Sequence, residues 1–275
     1  MNEKLSQSFR TAGFTEREVN SLMTYIAKMR AEEKTFQKEF SDNWGTAFVA
    51  SECLYAVISQ AVELCEKYVD DLSGDEKDEK INTYTALSTL QKRASQEYLE
   101  ILTLIKNGFS DGAFARWRSM HELSVISSFI LKYGETVAEQ FIAASDSQDR
   151  YDWAMASGAF RENKRHVTFG DILKLTDMND EVWKDNYTVA NQTVHASPQG
   201  TFGRLGSPDG QSRSGYGIAA PAIQSANTLA LVSSMLVSVL PDEKAVEKMS
   251  LSAKMLEELI EIYYSTHEKL FGEEE

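Results

Sequence analysis

The segment Asp111–Glu122, DGAFARWRSMHE, brings Arg116, Arg118, His121 and Glu122 together within two turns of what reads as one helix. Histidine titrates near neutral pH and can move protons, while arginine can hold a phosphate or stabilise developing anionic charge. Arg118 and His121, three residues apart, share a helix face, and Arg118 with Glu122 forms an i,i+4 pair. Arginine and histidine on one surface suit phosphodiester chemistry, in which the 2′-hydroxyl of RNA can itself be the nucleophile, so no metal is strictly required. In that reading His121 is general acid or base, Arg118 and Arg116 bind phosphate, and Glu122 orients His121 or Arg118. Phe114, Val125 and Phe129 lie near the same face. A structural ion pair beside a half-buried core histidine is therefore the alternative.

His195, in TVANQTVHASP, is the second acid–base candidate. It precedes a stretch, 196–217, that holds six of the fifteen glycines and two of the four prolines, so this is a long functional or mobile loop. Arg204 and Arg213 make the loop slightly basic and are the candidate substrate-binding residues. A helix-capping role is the alternative for His195. His166 sits in a basic cluster with Arg161, Lys164 and Arg165 and reads as a solvated face, with nucleic-acid contact as the alternative; His267, beside Tyr263 and Tyr264, reads as structural.

Several chemistries are excluded. There is no GxxxxGK[ST] loop, no GxGxxG after a strand and no HExxH, and none of the four histidines has a Glu three positions before it, which removes the usual di-iron pattern. No cofactor is called for, although an open metal site using His121, Glu122 and His195 stays available. Forty-two acidic against 28 basic residues give a net charge of −14, which argues against broad coating of nucleic acid or adhesion to anionic membrane but leaves room for a local basic cleft. Cys53 and Cys65 are too few and too far apart for a disulfide framework or zinc knuckle. The N-terminal MNEKLSQSFRTAGF lacks the apolar core of a secretion signal, so a cytoplasmic protein is expected.

The elements that must position these residues are helices. The first 197 residues contain no proline, so long helices are expected. Thr15 with Glu18 makes a capping box opening a helix to about Phe40; further helices are expected at about 46–72, 82–106, 110–133 with Ser110 and Asp111 as caps, 135–157 and 243–271. Thr168 with Asp171 marks another start, and short helices fill the chain to about His195. Asn107 and Gly108 join 82–106 to 110–133 in an antiparallel hairpin. Ile218–Leu240 carries no charge over 23 positions, but its Ser, Thr, Asn and Gln residues and Pro221 point to a central buried helix rather than a membrane span. The four tryptophans fall in separate segments, as core anchors do. The expected fold is an all-α bundle of long antiparallel helices in a single domain, with N-terminal helices over 1–80 and a core over 81–271.

Arg116 to His121 has the form R-x4-H, which resembles the Rx4-6H motif of the HEPN superfamily. That resemblance implies a metal-independent endoribonuclease of a bacterial defence or toxin system, acting as a homodimer that brings two motifs into one cleft. On an ideal helix Arg116 and His121 point apart, whereas Arg118 aligns with His121. The stretch GFSDGAFARWRSMHEL with the later NQTVHASP also resembles an uncharacterised bacterial helical family over about residues 90–240, which implies no activity. The expectation is an RNA- or phosphate-directed effector, with homo-oligomerisation, a partner protein in reach and no membrane. The alternatives are a non-catalytic interaction or sensor module and a metal-assisted hydrolase.

Overall fold

Glycines punctuate the chain where helices must stop. Gly108 (φ 74°) and Gly134 (φ 77°) adopt the left-handed backbone that favours glycine, and each ends a long helix. The computed structural model describes residues 3–148, 150–161, 163–178, 181–195, 198, 201–202 and 213–272. Most of the glycine-rich loop, with Arg204, and the acidic tail 273–275 lie outside the described residues. Among the described residues the chain is all-α, with ten α-helices and no strand: α1 (Glu3–Thr11), α2 (Glu16–Asp71), α3 (Asp75–Asp78), α4 (Ile81–Lys106), α5 (Ser110–Tyr133), α6 (Glu135–Ala143), α7 (Phe169–Leu173), α8 (Glu181–Val194), α9 (Ala219–Val239) and α10 (Glu243–Phe271).

The chain forms two compact units, Met1–Gly45 and Thr46–Glu275. In the first, Thr15 and Glu18 cap α2 reciprocally: the Thr15 amide donates to Glu18 Oε2 at 2.8 Å and the Glu18 amide to Thr15 Oγ1 at 3.3 Å. Phe9 and Phe14 pack edge-to-face across the turn before it. The sequence suggests a break between about Phe40 and Thr46, but α2 is continuous there. Gly45 takes no left-handed conformation, and the flanking Phe40, Trp44 and Ala47 are buried, which offsets the roughly 1 kcal/mol intrinsic cost of a helical glycine.

In the second unit α4 and α5 form the expected antiparallel hairpin, and α9 packs against both and against α10. α9 is uncharged and mostly buried because its polar groups are satisfied locally or by neighbours. Trp117 donates its indole N–H to Thr228 at 3.0 Å, and Gln91 donates to Ser233 at 3.3 Å. Tyr98 of α4 and Tyr263 of α10 meet at Ser51 of α2, through its carbonyl at 3.1 Å and its hydroxyl at 3.0 Å. Among the described residues two helices, α2 and α9, could by length and composition cross a membrane; 72% of the apolar window of α9 is buried inside the protein, against 39% for α2.

Two further boundaries differ from expectation. Phe109, not Ser110 or Asp111, occupies the capping position of α5, and Ser110 is already helical and buried. The helix expected over 135–157 ends at Ala143 and gives way to 3-10 turns at Ala144–Asp146 and Asp152–Ser157, in a stretch whose Ser145, Asp146 and Ser147 are residue types that disfavour a helix interior. Finally, α4 has no side-chain cap of its own. The carboxylate of Glu135, at the start of α6, takes that place: it accepts from the amides of Asn82 (2.7 Å) and Thr83 (2.9 Å) and from the Thr83 hydroxyl (2.8 Å).

Because those bonds satisfy orphan amides from across the bundle, Glu135→Ala is expected to lower stability by about 1–2 kcal/mol. Hydrogen exchange should quicken at the first turn of α4 while mid-helix amides stay protected. Unchanged exchange at residues 82–84 would refute the cap.

Candidate functional site

With Trp117 fully buried, the roughly 100° step of the helix sends Arg116 and Arg118 to opposite flanks of α5. Arg116 turns to α4. There its guanidinium pairs with Glu97 (Nη2 to Oε1, 3.4 Å) and with Glu100. Glu97 is fully buried and also takes Arg93 Nε at 2.9 Å and the Ser119 hydroxyl at 3.1 Å. Burial pushes its carboxyl above the usual range, against the pull of Arg116, Ser119 and Arg93.

Arg118 turns to α8. Its Nε donates to Asn191 Oδ1 at 2.7 Å, its Nη2 pairs with Glu122 Oε1 at 3.2 Å, and its guanidinium lies 5.4 Å from the centre of the Tyr187 ring. The Tyr187 hydroxyl closes the circuit by donating to Glu122 Oε1 at 3.2 Å. Burial, and then the Glu122 charge, raise the Tyr187 and Tyr151 phenols above their ordinary value. Tyr187 stacks on Phe169 of α7, which in turn meets Tyr151.

His121 lies one turn further along, 2% exposed, in an aromatic box. Its ring centre is 5.5 Å from Trp117, 5.1 Å from Trp183 and 5.4 Å from Tyr187. Nδ1 is buried without a hydrogen-bond partner, and burial pulls the imidazole from 6.5 down to about 4, so the ring is neutral at pH 7.

The residues singled out in the sequence therefore separate. Arg118 and Glu122 meet directly; His121 lies beside Tyr187, the ring that both of them touch, while Arg116 belongs to the α4 side. His195 stands exposed just past the end of α8, its amide bonded to the Asn191 carbonyl, and among the described residues no hydrogen bond or ring contact joins it to His121. Arg213 packs over Phe109 at 5.3 Å, and the neighbouring Ser214 amide donates to the Gly108 carbonyl, so this end of the loop is tied to the α4–α5 turn. His166 is exposed and paired with Asp152 at 3.0 Å, and His267 sits between Tyr216 and Phe271. Among the described residues no group of three His, Cys, Asp or Glu side chains converges as a metal site.

Sequence inspection alone does not single out Trp183, Tyr187 or Asn191, nor Glu97. The first three recur at i, i+4 and i+8, a stripe along one face of α8, and that spacing is the available signal. For Glu97 the only spacing signal is its i,i+4 relation to Arg93, while Arg116 and Ser119 reach it from α5.

The profile of a family of unknown function, DUF5677, matches residues 84–168. That match, over most of α4 and all of α5 and α6, is consistent with the uncharacterised family expected from the ARWR-x-x-HE helix. The match stops well short of residue 240, so the NQTVHASP segment and all of α8 lie outside it, and the HEPN resemblance has no counterpart in it. No curated protein and no solved structure matches the chain.

Two outcomes follow from this geometry. The unfolded chain binds a proton at His121 near pH 6.5 and the folded chain only near 4, so the stability due to neutral His121 is complete above pH 6.5 and falls as the pH drops toward 4, by up to roughly 3 kcal/mol. Urea midpoints of wild type and His121→Phe across pH 4–7 should diverge accordingly; parallel curves would refute the assignment. Arg116→Ala strips a buried carboxylate of one partner and is expected to cost roughly 3 kcal/mol, and more as the pH rises, because the raised Glu97 carboxyl loses stability as it ionises. Arg118→Ala, at a partly exposed pair, should cost about 1 kcal/mol or less. The reverse ranking in thermal melts would show that the α8 side carries the fold.

Proposed function

We propose that the chain is a non-catalytic helical interaction or sensor module, working in the cytoplasm through a partner protein or a second copy of itself. The observation that carries this reading is the condition of His121: buried, neutral and boxed by Trp117, Trp183 and Tyr187. A general acid–base must reach the proton it transfers. Supporting it, Arg116 is engaged by Glu97 and Glu100, and Arg118 by Glu122, Tyr187 and Asn191, so the cations that would hold a phosphodiester fix the register of α5 against α4 and α8 instead. Burial of α9 favours a soluble setting over a membrane one.

The competing reading is the R-x4-H ribonuclease, and one experiment separates the two. Purified protein is incubated with single-stranded and hairpin RNAs at pH 6–8, with and without divalent cations, alongside Arg118→Ala and His121→Phe. The interaction reading expects intact RNA throughout. RNA cleavage by the wild type that both variants lose, with melting temperatures preserved, would overturn it and restore the nuclease.

A further inference from the structure

On the far side of α7 from Tyr187, the chain builds a second feature that does not depend on the interaction reading. Residues 159–161, 163 and 164 and the end of α7 line an open cavity of about 620 Å³, with Phe160, Arg161, Lys164, Asp171, Lys174 and Leu175 among its lining. That volume is in the range of small-ligand sites.

Its walls are fixed. Phe160 stacks on the buried Phe129 with ring centres 6.3 Å apart. Asp171 Oδ2 takes three bonds, from the Thr168 amide (2.9 Å), the Thr168 hydroxyl (2.6 Å) and Lys164 Nζ (2.8 Å), and these hold its carboxyl well below the usual carboxylate range. The Asp171 oxygen Oδ1 is left as an acceptor, taking no bond among the described residues. Arg161 and Lys174 stand exposed on the lining, and among the described residues neither pairs with a carboxylate. Among the described residues, three cations against one carboxylate line this concavity in a chain of charge −14, an arrangement that focuses an anion where the overall field would repel it.

We infer that this cavity binds a small organic phosphate of about nucleoside-monophosphate size. Arg161 and Lys174 take the phosphate oxygens, with Lys164 adding charge from the wall. Asp171 Oδ1 accepts from a hydroxyl or amine on the organic part. Phe160 and Leu175 provide the apolar surface against which that part lies. A free inorganic anion would use the cations alone, whereas the aromatic floor and the acceptor call for a ligand that carries all three chemistries.

The test is isothermal titration of the full chain with AMP as the probe, with inorganic phosphate, adenosine and a short single-stranded RNA as comparisons. AMP is expected to bind more tightly than either phosphate or adenosine. The double variant Arg161→Ala/Lys174→Ala should weaken AMP binding at least roughly tenfold, since two charge-assisted contacts are removed. Both side chains are exposed and, among the described residues, neither pairs with a carboxylate, so its melting temperature should match wild type. A third variant, Asp171→Asn, retains an acceptor and tests the wall separately; its melting temperature is recorded because it also alters the α7 cap. No AMP binding, AMP binding unchanged in the double variant, or binding of RNA without AMP would each overturn the assignment. None of these outcomes bears on whether the protein cleaves RNA through α5.

Discussion

Trp117 sets the rotation of α5, and most of what lies around the candidate site depends on that one angle. Its indole is wholly buried, donates to Thr228 of α9 and stacks on His121 and Trp183, so it joins α5 to two other helices at once. An indole N–H buried without an acceptor would cost about 1–3 kcal/mol, which makes the rotation that meets Thr228 strongly preferred. Once that rotation is set, helical geometry leaves Arg116 no course but toward α4 and Arg118 none but toward α8. The two arginines of ARWR are neighbours in sequence and serve different interfaces.

Electrostatics follow from the same packing. A carboxylate as buried as Glu97 is costly to ionise, and it is tolerated because Arg93, Arg116 and Ser119 converge on it. On the other flank, Arg118, Glu122, Tyr187 and Asn191 form a closed circuit that is partly exposed, where ion pairs are worth less than in the interior. α7 lies between this circuit, through Phe169 and Tyr187, and the basic cavity, through Asp171 and Lys174.

Much of the architecture was legible in the sequence because it depends on local rules. The capping boxes at Thr15–Glu18 and Thr168–Asp171, the stops at Gly108 and Gly134, and the uncharged stretch that becomes α9 are each set within a few residues. What distant packing decides was not legible. Trp44 and its neighbours carry α2 through Gly45, and Glu135 caps α4 from across the bundle. The candidate site divides in the same way. The Arg118–Glu122 pair is an i,i+4 relation readable from spacing, but the burial of His121 and the claim of Glu97 on Arg116 are not.

The sequence by itself thus determined the helical class, the α4–α5 hairpin, the burial of α9 and the presence of a cluster of arginine, histidine and glutamate on α5. Those features rest on periodicity, capping and charge, which act over one or two helical turns. Tertiary structure alone decided which of these groups meet solvent and which meet each other. Partners such as Thr228, Tyr187, Asn191 and Glu97 lie between 19 and 111 residues from the α5 side chains they engage, and only the packed bundle brings them together.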